Sequence, residues 1–215
     1  MKKYEFTGKE KRISGRNLKQ IVCVTAFASV SVGDIGGWIE KESNLDHSGN
    51  AWVYGDSMVY GDARVYGDAR VFGNARAFGN ARVHGDSMVH GDAKVHGDAE
   101  VYGDAKVHGK AEVYGDAEVY GYAKVHGDAK VHGDAEVYGY AKVHGKAEVL
   151  TKKAVTINST HHHVTITDTH ITIGCQNHKK DFWKNADFET IKKINGEESA
   201  KAFMEFKPFI MALAK

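Results

Sequence analysis

Histidine, cysteine, lysine and tyrosine carry the chemistry available to this chain, and their spacing limits what that chemistry can be. His161-His162-His163, followed by His170, Cys175 and His178, brings imidazoles and a thiol within one short region. Such groups are the ordinary ligands of a tetrahedral metal centre. Cys175 and His178 stand at a workable ligand spacing, but a second well-spaced pair is missing. His161, His163, Cys175 and His178 are therefore the metal candidates, and a histidine-rich turn beside a half-buried cysteine is the favoured reading. Four more histidines, His90, His108, His126 and His144, fall 18 residues apart. On adjacent strands about 4.8 Å apart their rings point in parallel and do not converge on one ion.

A second constellation pairs cations with phenols. Lys106, Lys124 and Lys142 share the 18-residue interval with Tyr102, Tyr120 and Tyr138, and Tyr122 and Tyr140 interrupt a run of aspartates. Lysine interleaved with aromatic rings is the chemistry of a stacking and phosphate-binding surface for single-stranded nucleic acid. It is also the chemistry of a protein interface, where aromatics are enriched. The formal net charge is only +1. Nucleic-acid affinity rests on phosphate neutralisation, so the balance favours a protein partner or a second copy of the chain.

The element that positions these residues is a hexapeptide repeat. Residues 53–148 hold sixteen consecutive units, from Val53-Tyr54-Gly55-Asp56-Ser57-Met58 to Val143-His144-Gly145-Lys146-Ala147-Glu148. The first position is valine except at Ala77, the third is always glycine, and the fifth is alanine or serine. Valine favours a pleated strand, and glycine every sixth residue permits a bend. Strand and corner, three times over, close a coil of 18 residues whose narrow interior admits only valine and a small residue. Positions 18 apart then stack on one face. Read unit by unit, Tyr102, Tyr120 and Tyr138 group with Lys106, Lys124 and Lys142, while Glu100, Glu118 and Glu136 belong to the neighbouring face.

This pattern resembles the left-handed parallel β-helix of hexapeptide-repeat proteins, with a right-handed solenoid as the alternative. The expected fold is an all-β solenoid of about 5–7 triangular coils with an N-terminal β cap and a small C-terminal helical segment. Leu18 to Phe27, Gly36-Gly37-Trp38-Ile39 and Gly49-Asn50-Ala51-Trp52-Val53-Tyr54 also look like the leading segment of bacterial and prophage repeat proteins labelled putative transferases. That resemblance implies a phage or prophage origin and carries no catalytic residue across. Many hexapeptide-repeat proteins are acyltransferases, in which an extruded loop helps build the active site and a histidine serves as general base. Here no insertion breaks the sixteen units. Acyl transfer from acetyl-CoA is thus the alternative to a non-catalytic rigid binding surface, such as an inhibitor of a host defence complex. A structural virion or assembly component is the third reading. No catalytic residue and no cofactor is assigned.

The rest of the chain frames the repeat as three segments: 1–46, an N-terminal β cap; 47–175, the β-helix; and 176–215, a helical cap. Gly33-Asp34-Ile35-Gly36-Gly37 lacks the spacing of a phosphate-binding loop and reads as a tight bend, with Trp38 covering the first coil. Val155-Thr156-Ile157, Val164-Thr165-Ile166-Thr167 and Ile171-Thr172-Ile173 alternate as strands. Residues 179–194 have helical spacing up to a stop at Asn195-Gly196. A second helix is expected from Glu197 to Phe206 and a third after Pro208. Phe182, Trp183, Phe203, Phe206 and Phe209 are the expected oligomerisation residues, in a dimer or trimer, unless these helices merely cover the open end of the solenoid. The two cysteines, Cys23 and Cys175, form no disulfide framework, which suits a reducing cytoplasm. The basic start before Ile21-Val22-Cys23-Val24 is too long, and the apolar run too broken, for a signal peptide. No run has the length of a membrane-spanning helix.

Overall fold

Every sixth residue of the repeat must bend the chain, and it does so in a conformation that favours glycine. In the computed structural model, which describes residues 1–150, 154–158, 163–174 and 176–214, all sixteen repeat glycines have positive φ between 57° and 74°. Most are also packed tightly. A Cβ on Gly97 would lie 2.9 Å from the backbone nitrogen of Gly115, its neighbour one coil on.

Between the corners run seventeen two-residue strands, β4 (Trp52–Val53) to β20 (Glu148–Val149), one every six residues. They pair in parallel with the strand 18 residues away and form three sheets. The result is a parallel β-solenoid of about six turns. Its inside is a column of valine and alanine, each fully buried. Ser57 and Ser87, at the fifth position, are equally buried, and their hydroxyls donate to the carbonyls of Val71 and Val101.

Each strand consists of the sixth residue of one unit and the first of the next, because the corner falls at the third and fourth positions. One sheet therefore carries Lys106-Val107-His108, Lys124-Val125-His126 and Lys142-Val143-His144. The next carries Glu100-Val101-Tyr102, Glu118-Val119-Tyr120 and Glu136-Val137-Tyr138. This corrects the unit-by-unit assignment of faces. The lysines share a face with the histidine ladder, and Tyr102, Tyr120 and Tyr138 share one with the glutamates.

At the N-terminal end, β1 (Tyr4–Ile13) and β2 (Arg16–Cys23) form an antiparallel hairpin, and β3 (Ile35–Ile39) joins it to the third sheet beside β5 (Met58–Val59). Gly36 and Gly37 lie in β3 and form no bend. They are needed for close approach, since a Cβ on Gly36 would meet Ile21 at 2.5 Å and one on Gly37 would meet the Ser57 carbonyl at 2.7 Å. Trp52, fully buried against Tyr4 and Phe27, takes the covering role expected of Trp38. Trp38 stays partly exposed under the Lys11 ammonium.

The parallel ladders end at Val149, and a different unit follows. Strands β21 (Val155–Asn158), β22 (His163–Ile166), β23 (His170–Ile173) and β24 (Gln176–Lys179) make a four-stranded antiparallel sheet. Helices α1 (Lys180–Asn185), α2 (Phe188–Asn195) and α3 (Glu197–Leu213) cover one side of it. The alternation in β22 and β23 explains the arrangement. Val164, Ile166, Ile171 and Ile173 pack against Trp183, Ile191, Phe203 and Ile210, while Thr165 and Asn177 meet the last coil. The sheet caps the solenoid and the helices cover the sheet. Pro208 opens no new helix, because α3 runs through it with Phe203 and Ile210, on either side, buried in one core.

Candidate functional site

Among the described residues, the corner between the glutamate and lysine faces builds a surface groove. Its fourth position reads Asp68, Asp86, Asp104, Tyr122 and Tyr140, so two exposed phenols replace carboxylates at the C-terminal end. The Tyr122 and Tyr140 rings stack 5.2 Å apart and within 6° of parallel. Beside them stand Lys106, Lys124 and Lys142, with Arg70, Met88, Asp86 and Asp104 completing a groove of about 630 Å³. Among the described residues, none of the three lysines forms an ion pair with a carboxylate.

Of the eight residues expected to bind a partner, the structure unites Lys106, Lys124, Lys142, Tyr122 and Tyr140. It turns Tyr102, Tyr120 and Tyr138 around the corner. There the Tyr102 hydroxyl donates to Glu118 at 2.8 Å and the Tyr120 hydroxyl to Glu136 at 3.1 Å, one coil on. Burial, together with the Glu118 carboxylate, pushes the Tyr102 phenol above its ordinary pKa. Tyr102 and Tyr120 are thereby tied to the acidic ladder.

The outward rings form continuous stacks on all three faces. His90, His108, His126 and His144 lie 4.8, 4.9 and 5.0 Å apart with near-parallel planes. Burial lowers the pKa of each, and neighbouring cations add to it. His126, between His108 and His144, falls to about 4. At neutral pH the ladder is an uncharged aromatic strip beside a charged lysine strip.

The metal candidates are only partly visible. His161 and Cys175 fall outside the described residues, and His163 lies in β22. The His178 ring stacks on Phe182 at 4.0 Å and meets Trp183 edge-on, and its Nε2 lies 3.3 Å from the Gln176 side-chain oxygen. Among the described residues, no three His, Cys, Asp or Glu side chains gather as a metal site. Of the expected oligomerisation residues, Trp183 and Phe203 are buried in the core of their own unit. The Trp183 indole donates to the Ile171 carbonyl at 2.7 Å. Phe182 is partly buried against the same core, while Phe206 and Phe209 remain exposed on α3.

Sequence reasoning missed the residues that close the solenoid. The backbone amides of Lys142, Glu148 and Leu150 donate to the side chains of Thr165, Thr169 and Asp168. Asn177 donates to the His144 carbonyl at 2.6 Å. The Thr/Ile alternation was the only available signal that one side of β22 and β23 is polar.

Repeat, parallel sheets and outward ladders together define a hexapeptide-repeat β-solenoid protein. Residues 63–77 match a family described as the YdcK β-solenoid repeat. The chain is also 37% identical over 51 residues to a protein of Escherichia coli (strain K12) named "Uncharacterized acetyltransferase YdcK". That similarity spans 24% of this chain and 15% of the relative's length, well under two thirds of it. Among the described residues, no helix is long and apolar enough to cross a membrane.

Proposed function

We propose that the protein is a non-catalytic accessory protein of phage or prophage origin, acting in the cytoplasm as a rigid protein-binding surface. Its target is an acidic face of a host protein, such as a component of a defence complex. The observation that carries this reading is the corner groove: three lysines that form no ion pair with a carboxylate among the described residues, beside two exposed, stacked tyrosines. Charges held on a preformed scaffold lose little conformational freedom on binding. Tyrosine adds apolar area with a polar tip. The test is affinity capture from a bacterial lysate with wild type and with a Lys106→Glu/Lys124→Glu/Lys142→Glu variant of unchanged circular dichroism. Loss of one specific captured protein supports the groove, and capture by both sinks it.

The name of the matched relative favours a second reading, acyl transfer from acetyl-CoA. Against it stands the uninterrupted repeat, in which strands recur every six residues with no loop to fold over a neighbour. General-base catalysis needs a histidine positioned toward a bound substrate, whereas His90, His108, His126 and His144 are stacked on one another. A rise in melting temperature with acetyl-CoA would favour the enzyme, and no shift would end that reading.

A further inference from the structure

The three outward ladders settle their charge in different ways. On the third face the signs alternate: Lys94, Glu112, Lys130 and Glu148 are register neighbours, and the Lys94 ammonium reaches the Glu112 carboxylate at 2.7 Å. The glutamate ladder is like-charged but is served within the chain. Arg82 pairs with Glu100, the Tyr102 hydroxyl donates to Glu118 and the Tyr120 hydroxyl to Glu136. Lys106, Lys124 and Lys142 are register neighbours too. Among the described residues, no carboxylate pairs with them. Like charges directly opposite on neighbouring strands destabilise a sheet, and departures from local consistency concentrate at functional sites.

We infer that the groove takes an acidic α-helix of the partner, lying along the solenoid axis with one carboxylate per turn over each lysine. This rests on the reading of the groove as a protein-recognition surface and names the element it recognises. Spacing carries the inference. The lysines recur once per coil, about 4.8 Å apart. Carboxylates at i, i+4 and i+7 of a helix share one face and span about 10.5 Å, so they drift by only about 1 Å across the two intervals. A flexible lysine stem absorbs that difference. Same-face residues of an extended strand stand about 6.8 Å apart and drift by about 4 Å over the same distance. Phosphates along one strand of a duplex recur every 3.4 Å or so and fall about 3 Å short. A single strand needs open ring faces on which its bases stack, but Tyr122 and Tyr140 each cover one face of the other.

The groove also sets the length of the acidic stripe. Before Lys106 the ladder holds Met88, and Asp86 and Asp104 line that part of the groove. A fourth carboxylate there would meet like charge. Towards the other end Tyr122 and Tyr140 stand beside Lys124 and Lys142 and offer apolar area with a polar tip. The helix that fits has three acidic turns, with aliphatic residues flanking the carboxylates over Lys124 and Lys142.

Fluorescence anisotropy with labelled peptides is the test. The probe is a helix locked by a side-chain crosslink, with glutamate at i, i+4 and i+7 and leucine flanking two of them. Its control has the same composition and crosslink, with the glutamates spread around the helix. The striped helix is expected to bind wild type about tenfold tighter than the control, the gain expected of three exposed ion pairs. Lys106→Glu/Lys124→Glu/Lys142→Glu should abolish that difference, and so should the milder Lys106→Gln/Lys124→Gln/Lys142→Gln. A helix with lysine in the stripe should bind the reversed variant and not wild type. Equal binding of the two glutamate helices, or a preference that survives both lysine variants, would overturn the inference. Tighter binding of labelled oligo-deoxythymidylate than of the striped helix, through the same lysines, would overturn it in favour of a nucleic acid. Labelled poly-L-glutamate separates the two levels. If it binds through the three lysines while the two helices bind alike, the helix geometry alone falls. If no acidic probe responds to the lysine variants, the groove reading falls with it.

Discussion

The Asn177 side-chain amide donates to the His144 backbone carbonyl at 2.6 Å, tying the antiparallel sheet to the last coil of the solenoid. Thr165, Thr169 and Asp168 accept the amides of Lys142, Glu148 and Leu150 in the same region. An open β-solenoid end presents a row of unpaired backbone groups that recruits other chains. Side chains of the following unit satisfy that row here.

Breaking this seam should expose the edge. Thr165→Val removes the acceptor of the Lys142 amide without changing side-chain size, and Asn177→Leu removes the donor to His144. Each change should cost about 1–3 kcal/mol, the usual penalty of an unsatisfied buried group. The double variant should also aggregate faster, which urea titration and light scattering would show. Unchanged stability would mean that the sheet merely hangs beside the last coil.

Two glycine substitutions separate backbone conformation from close packing. Gly139 has φ +65° and open space where a Cβ would go, whereas Gly97 has φ +72° and the Gly115 backbone at 2.9 Å. Gly139→Ala should cost about 1–2 kcal/mol for the left-handed conformation alone. Gly97→Ala should cost clearly more in the same denaturation experiment. Equal costs would show that coil-on-coil glycine packing is slack.

Acid should weaken the fold through the histidine ladders. Burial, with help from neighbouring cations, holds His90, His108, His126 and His144 below the ordinary value of 6.5, His126 at about 4. The unfolded chain then binds protons first, so stability is full above pH 6.5 and declines as pH falls toward 4. Chemical denaturation between pH 7.5 and 4.5 should show this decline, and a His108→Gln/His126→Gln variant should flatten it. An identical slope in the variant would assign the loss to carboxylates instead.

The C-terminal phenylalanines should divide by burial. Phe203→Ala empties part of the core around Trp183 and should cost about 3–5 kcal/mol. Phe206→Ser and Phe209→Ser, both exposed, should stay within about 0.5 kcal/mol. Comparable losses at all three sites would contradict the placement of α3.

The inward half of the repeat was legible because it is uniform: valine first, glycine third, a small residue fifth, at every coil. The outward half was misassigned for a geometric reason. The unit that is convenient to write starts at valine, but the chain turns at the third and fourth positions, so Lys124 belongs with His126 and not with Tyr120. Nothing in Lys124 or Tyr120 alone marks that boundary; only the position of the corner does. Trp38, directly after a glycine pair, was expected to cover the first coil, and only tertiary packing shows that Tyr4 and Phe27 cover Trp52 instead. The Thr/Ile alternation of β22 and β23 identified strands, but what the threonines meet is a contact across more than twenty residues.

The groove itself is tested most directly by comparing two charge reversals of one kind on different faces. Binding of the captured partner should be abolished by Lys106→Glu/Lys124→Glu/Lys142→Glu and retained by Lys94→Glu/Lys130→Glu, with both variants showing the wild-type circular dichroism spectrum. Titration calorimetry gives the reading for each variant. Retained binding in the first, or equal loss in both, would contradict a partner site at the corner of Tyr122 and Tyr140.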